Sequence, residues 1–150
     1  MRITDPNFEQ RTRDSFAQQP AMATLGVTVD SVQAGRVVLL MPHRADLTQQ
    51  HGFLHAGMVA TALDSACGYA AFTLMPVGAG VLTIEFKINL LAPARWPLLH
   101  LEGQVTKAGR TISVVDGQAF QFEPGRPERK LVATMTATIM TVTGRDDVRH

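Results

Sequence analysis

One acidic side chain sets the chemical problem. Between Asp46 and Glu85 the only Asp, Glu, Lys or Arg is Asp64, inside a run rich in Ala, Gly, Val, Leu and Met. A lone carboxylate in apolar surroundings is costly unless it is paired, hydrogen-bonded or protonated. Two readings follow: a structural carboxylate satisfied by backbone amides or a hydroxyl such as Thr61, or a functional acid, base or nucleophile. Just upstream stands Gln49-Gln50-His51-Gly52-Phe53-Leu54-His55-Ala56-Gly57. If a helix begins there, its first amides lack intrahelical partners and carry the positive end of the helix dipole. Such amides cap, or they polarise a carbonyl, and the small residues Ala56 and Gly57 would let a substrate carbonyl approach. Cys67 has no base within its own turn and reads as a small buried residue rather than a nucleophile. Lys107, Arg110 and Arg126 fall in or beside turns, either as solvated charges or as anion contacts.

The elements that must position these groups follow from periodicity. Residues 4–19 carry Phe8 and Phe16 eight apart in a polar stretch, which predicts a short N-terminal helix. Thr24 to Gln33 and Arg36 to Met41 are β-rich runs joined by the turn Ala34-Gly35. Ala56 to Leu74 contains no proline, is apolar on all sides, and ends before Pro76, Gly78 and Gly80, which predicts one long buried helix. Met58, Leu63, Tyr69, Phe72 and Met75 either line an acyl pocket or pack the core around it, and core packing is assigned to most of them. From Thr83 to Leu90 the pattern has period two, with Ile84, Phe86, Ile88 and Leu90 on one face, a half-buried strand. Leu99 to Thr106, Thr111 to Phe122 and Lys130 to Val142 are three further strands, and 144–150 reads as a frayed polar tail. The predicted class is α+β: an antiparallel sheet of about six strands wrapped around one long central helix, plus the short N-terminal helix. Residues 1–150 are expected to form one domain with its core at about 22–142.

Composition narrows the rest. The chain has 150 residues with 14 Lys+Arg against 13 Asp+Glu, so no basic stripe marks a nucleic-acid binder. One cysteine rules out an intrachain disulfide framework and a multi-cysteine zinc site. Residues 1–10 hold no apolar signal core, and the one membrane-length candidate, 56–75, carries Asp64 near its middle. A cytoplasmic protein with no membrane span is expected.

His55-Ala56-Gly57 followed by Asp64, then Val81 to Leu91-Ala92-Pro93, resembles the hotdog-fold acyl-CoA thioesterases. The resemblance is to the phenylacetate-degradation (4-hydroxybenzoyl-CoA thioesterase-like) subgroup and extends over roughly residues 22–142. That subgroup's pattern is His-Gly-Gly, an acid seven residues after the second glycine, and a strand ending in Leu-x-Pro. The resemblance implies hydrolysis of an acyl-CoA thioester without cofactor or metal. It implies Asp64 as general base or nucleophile, the Ala56 N–H as the group that polarises the carbonyl, Gln49 as a further substrate contact in place of an Asn, and Thr83 as the hydroxyl that positions water. His55 and Gly57 would shape the substrate entrance, and Lys107 and Arg110 would meet CoA phosphates. Ala56 stands where the pattern has glycine, which keeps the N–H and adds a methyl group.

Eight residues separate Ala56 from Asp64, about 12 Å along a helix at ~1.5 Å per residue. Attack requires water within about 3–3.5 Å of the carbonyl carbon, so an amide and a carboxylate so far apart cannot serve one thioester from one chain. A homodimer at minimum is expected, with a homotetramer favoured. Two other functions are weighed: a non-catalytic acyl-CoA binding module, and an enoyl-thioester hydratase or dehydratase of the same fold. The hydratases resemble an Asp followed five residues later by His, and Tyr69 occupies that position here.

Overall fold

The computed structural model describes residues 1–148. Its elements are α1 (Phe8–Ala17), α2 (Pro20–Leu25), β1 (Thr28–Gln33), β2 (Arg36–Pro42), a 3-10 turn at Ala45–Leu47, α3 (Ala56–Phe72), β3 (Gly80–Leu90), β4 (Leu98–Ala108), β5 (Ile112–Phe122) and β6 (Arg129–Val142). The six strands form one sheet in the order β1-β2-β4-β5-β6-β3, every pairing antiparallel. α3 crosses the concave face, so β3, which follows it, is added at the far edge beside β6.

Small residues determine how closely helix and sheet meet. Gly103 on β4 and Gly117 on β5 are direct cross-strand partners. A Cβ at Gly103 would fall 2.3 Å from the Ala66 carbonyl oxygen, and one at Gly117 would fall 2.8 Å from Cys67 Sγ. The bare backbone of two adjacent strands is therefore the seat on which the middle of α3 rests. Leu63, Tyr69, Phe72 and Met75 are buried there with Leu39, Leu101, Val115, Ala137 and Ile139 of the sheet. The N-terminal segment closes the other end of the helix. Thr4 Oγ1 donates to the Leu74 carbonyl, and Arg11 donates to the carbonyls of Phe72 (3.1 Å) and Met75 (2.7 Å). The Phe72 carbonyl also accepts the Met75 N–H at 3.0 Å, whereas those of Leu74 and Met75, beyond the end of the helix, are satisfied by these side chains.

Three expectations are corrected. The β-rich run at Thr24 begins too early, because Pro20 opens a short helix that Gly26, at φ 72°, terminates, and strand starts only at Thr28. β3 is not half-buried: Leu82, Ile84 and Phe86 are 43%, 52% and 41% exposed. As an edge strand it has a neighbour on one side only, and its apolar face runs past the cover that α3 provides. The tail is ordered further than expected, since Val148 lies against Gly80, while 149 and 150 fall outside the described residues. Among the described residues no helix is long and apolar enough to cross a membrane.

The glycine seat generates a stability prediction. Gly103→Ala must push the helix backbone away, whereas Gly117→Ala meets only side chains that can shift. Urea denaturation should show Gly117→Ala losing about 1–3 kcal/mol, with Gly103→Ala losing more or failing to fold. Wild-type stability in Gly103→Ala would mean that the helix does not rest on this strand.

Candidate active site at the central helix

α3 presents two separate polar features, one at its start and one in its middle. At the start, His55 is the N-cap, in extended backbone, and its Nδ1 accepts the Gly57 N–H at 2.8 Å. That bond requires Nδ1 to be unprotonated. Gly57 leaves room for it, because a Cβ there would stand 3.1 Å from the same ring nitrogen. Among the described residues the neighbouring Ala56 N–H has no acceptor within the chain. Ala56 is helical, and among the described residues no non-glycine residue has positive φ, so its methyl group carries no backbone penalty. The Gln49 side-chain carbonyl accepts the N–H groups of His51 (2.6 Å) and Phe53 (3.3 Å), which orients the amide and leaves its NH₂ without a partner among the described residues. Gln49, Ala56, Val59, Leu91, Pro93 and Val132 are among the walls of a cavity of about 370 Å³.

Two turns further along, Asp64 borders a second, smaller cavity of about 130 Å³ with Gln19, Ser65, Gly68, Tyr69, Val81 and Thr83. Thr83 Oγ1 donates to Asp64 Oδ1 at 2.8 Å, while Oδ2 has no donor among the described residues. Burial raises the Asp64 pKa above the ordinary carboxylate value, and the Thr83 hydrogen bond opposes that rise. A carboxylate so placed is a stronger base than one in water, with one oxygen held and one available. Cys67, one turn on, is in the opposite condition. Desolvation, reinforced by the charges of Asp64 and Asp116, pushes its thiol up to about 12, so it is neutral and inert at physiological pH.

Thr83 reaches Asp64 because β3 is bulged. Its pairing to β6 shifts register between Thr83 and Glu85. Strict alternation would put Thr83 on the face opposite Ile84 and Phe86, away from the helix. With the extra residue, Thr83 stands opposite buried Ile139 and Phe86 opposite buried Ala137, so both share the inner side. Glu85 turns outward and accepts from Thr138 Oγ1 at 2.6 Å.

The structure thus brings Asp64 to Thr83 and groups Gln49, His55, Ala56 and Gly57 at the helix start, where Gln49 and Ala56 line a different cavity. Lys107 and Arg110 belong to neither group. They border a cavity of about 1110 Å³ with Ala71, Leu74 and Met75, at the opposite end of α3. Gln19 and Ser65, whose side chains hydrogen-bond at 3.3 Å beside Asp64, were not anticipated; nothing in periodicity distinguishes an interhelix Gln from a solvated one. Among the described residues no three His, Cys, Asp or Glu side chains gather as a metal site.

Comparison with known proteins agrees with this architecture. Residues 51–128 match the Thioesterase superfamily. A protein of Saccharolobus solfataricus that bears an esterase name is 36% identical over 92 residues, 61% of this chain and 65% of that protein, so the match spans just under two thirds of its length. The crystal structure of a thioesterase family protein from Silicibacter pomeroyi is 55% identical and superposes with a TM-score of 0.87, covering 90% of this chain and 98% of that one. The E. coli PaaI protein from the phenylacetic acid degradation operon shares the fold at 21% identity, with a TM-score of 0.79 over 90% of this chain and 93% of that one. The wrapped helix and six-stranded sheet are the hotdog thioesterase fold, and the chain belongs to the Thioesterase superfamily.

Proposed function

We propose that the protein hydrolyses acyl-CoA thioesters, as enzymes of the phenylacetate-degradation type do. The observation that carries this reading is Asp64, the one charge on an apolar helix, held through one oxygen by Thr83 and open at the other. As a general base, Asp64 takes a proton from water while the hydroxide forms the new C–O bond at the thioester carbon. The carbonyl oxygen becomes an oxyanion, for which the unpaired Ala56 N–H and the Gln49 amide are the available donors. Collapse breaks the C–S bond, and the thiolate leaves as CoA after gaining a proton. As a nucleophile, Asp64 would form that C–O bond itself, and water would then cleave the mixed anhydride.

Because the donors at the start of α3 and the carboxylate in its middle occupy separate cavities, the reading requires a second copy. The exposed apolar edge of β3 is the surface on which it would pair, extending the sheet and setting two α3 helices side by side and antiparallel. Ala56 of one chain then faces Asp64 of the other, in a homodimer at least and a homotetramer if dimers pair again. On this reading Lys107 and Arg110 reach CoA only across such an interface, and the enzyme works in the cytoplasm.

A thiol-release assay over acyl-CoAs of differing length and ring content should detect CoA from at least one of them. Asp64→Asn should lower that rate at least ~10²-fold. Turnover within a few-fold of wild type would assign Asp64 a structural role, and water addition to an enoyl-CoA without thiol release would assign hydratase chemistry.

Two pH experiments follow from the direction of the Asp64 shift. Thr83→Val removes the hydrogen bond that opposes the rise, so the acid limb of kcat/KM should move to higher pH; an unmoved limb would show that Thr83 does not act on Asp64. A carboxylate whose folded pKa lies above its unfolded one favours folding fully only below the unfolded value, about 3.9. That contribution is lost as pH rises through the folded pKa. Asp64→Asn should therefore be more stable than wild type at neutral pH, the difference vanishing below about pH 4. Equal denaturation midpoints at pH 7 would contradict the burial cost.

A further inference from the structure

The loop between β3 and β4, residues 91–97, is held more firmly than a surface connection needs to be. Gln121 on β5 is 1% exposed. Its side-chain carbonyl accepts the N–H groups of Arg95 (3.0 Å) and Trp96 (3.4 Å), and its amide donates to the Pro93 carbonyl (2.9 Å). The Ala94 carbonyl accepts from Leu54 N–H at 2.8 Å and the Pro97 carbonyl from His43 N–H at 2.9 Å. This rigid loop displays the only tryptophan of the chain. The Arg95 guanidinium lies 5.2 Å, and the Lys130 ammonium 5.9 Å, from the Trp96 ring centroid. Among the described residues neither cation is paired with an acid, whereas nearby Arg126 and Arg129 are bound to Glu123 and Glu102.

Position gives this cluster meaning. Pro93 and Ala94 wall the cavity that also contains Ala56, Gln49, Leu91 and Val132, and Arg95 and Trp96 are the next two residues of the chain. The cavity walls thus continue along the chain, from Ala94 to Arg95 and Trp96 and from Val132 back to Lys130, into two cations beside an aromatic ring that have no acid partner among the described residues. Lys107 and Arg110 stand instead at the far end of α3 from that amide.

We propose that Arg95, Trp96 and Lys130 form the docking site for the phosphate-bearing nucleotide end of the thioester substrate. This rests on the thioesterase reading. With the carbonyl at Ala56, the pantetheine arm lies along Leu91 and Val132, and the nucleotide phosphates meet the two cations by charge-assisted hydrogen bonds. The indole holds the cations in place and offers a surface to the base.

The single tryptophan makes the test direct. Its fluorescence is titrated with CoA and with adenosine 3′,5′-bisphosphate, a fragment that cannot react, alongside steady-state kinetics on an acyl-CoA that the wild type hydrolyses. The wild type should show saturable changes with both probes, weakened by salt. Arg95→Ala/Lys130→Ala should weaken both and raise KM at least about tenfold, with kcat nearly unchanged. Unchanged KM and unchanged titrations in that double variant would overturn the docking site while leaving the thioesterase reading intact. A loss produced instead by Lys107→Ala/Arg110→Ala would also overturn it, assigning the phosphates to the β4–β5 turn. A wild type that releases CoA from no acyl-CoA and binds neither probe would overturn both readings.

Discussion

The contact between the bare backbones of Gly103 and Gly117 and the middle of α3 is the constraint on which the rest of the molecule depends. Ala66 and Cys67 touch the sheet where no side chain intervenes, so depth and rotation of the helix are set together. Every other side chain on α3 is oriented by that choice. Phe72 and Leu63 go into the core, and Asp64 points sideways toward the β3 edge, where Thr83 waits. A larger residue at Gly103 would lift the helix and move the carboxylate with it, and one at Gly117 would displace the Cys67 and Leu63 side chains. Close packing of this kind makes position discrete rather than adjustable.

Placing a charge there has a cost that the fold accepts. Burial raises the Asp64 pKa, one Thr83 hydrogen bond offsets part of the rise, and the second oxygen is left for another occupant. A purely structural carboxylate would be expected to have both oxygens satisfied. Tyr69 shows how the same fold treats a polar group that it only needs to bury: its hydroxyl lies 3.2 Å from Ser15 Oγ, and its ring packs edge-on against Phe16 and Phe72. The helix start repeats the asymmetry. His55 occupies the Gly57 N–H and leaves the Ala56 N–H beside it without an acceptor among the described residues.

Much of this was legible in the sequence because burial imposes periodicity. The long helix, the strands after it and the isolation of Asp64 follow from the alternation and spacing of apolar residues. What was not legible depends on single residues that override a pattern. Pro20 and Gly26 cut a short helix into a run of good strand formers. The bulge between Thr83 and Glu85 turns Thr83 inward, although alternation alone sends it outward with Glu85 and Lys87. The exposure of β3 escaped prediction because one chain's alternation does not say whether its apolar face is covered by the same chain or by a second one. Gln19 and Gln121 look like solvated amides until the fold brings Ser65 and the 91–97 loop to them.

The central claim is that the Ala56 amide and the Asp64 carboxylate serve one thioester across a subunit interface, and mixing two inactive variants tests it most directly. Asp64→Ala removes the carboxylate. Ala56→Pro removes the amide at the first helical position, where proline is tolerated, and His55 before it already has the extended backbone (φ −60°, ψ 135°) that a following proline demands. Each variant alone should be nearly inactive while folded by circular dichroism. After dissociation and random reassociation about half the dimers are mixed, and each mixed dimer holds one site built from the two unmutated halves, so about a quarter of wild-type activity should return. No recovery from a population verified to contain mixed dimers would contradict the account, because a site made within one chain keeps a lesion in every copy.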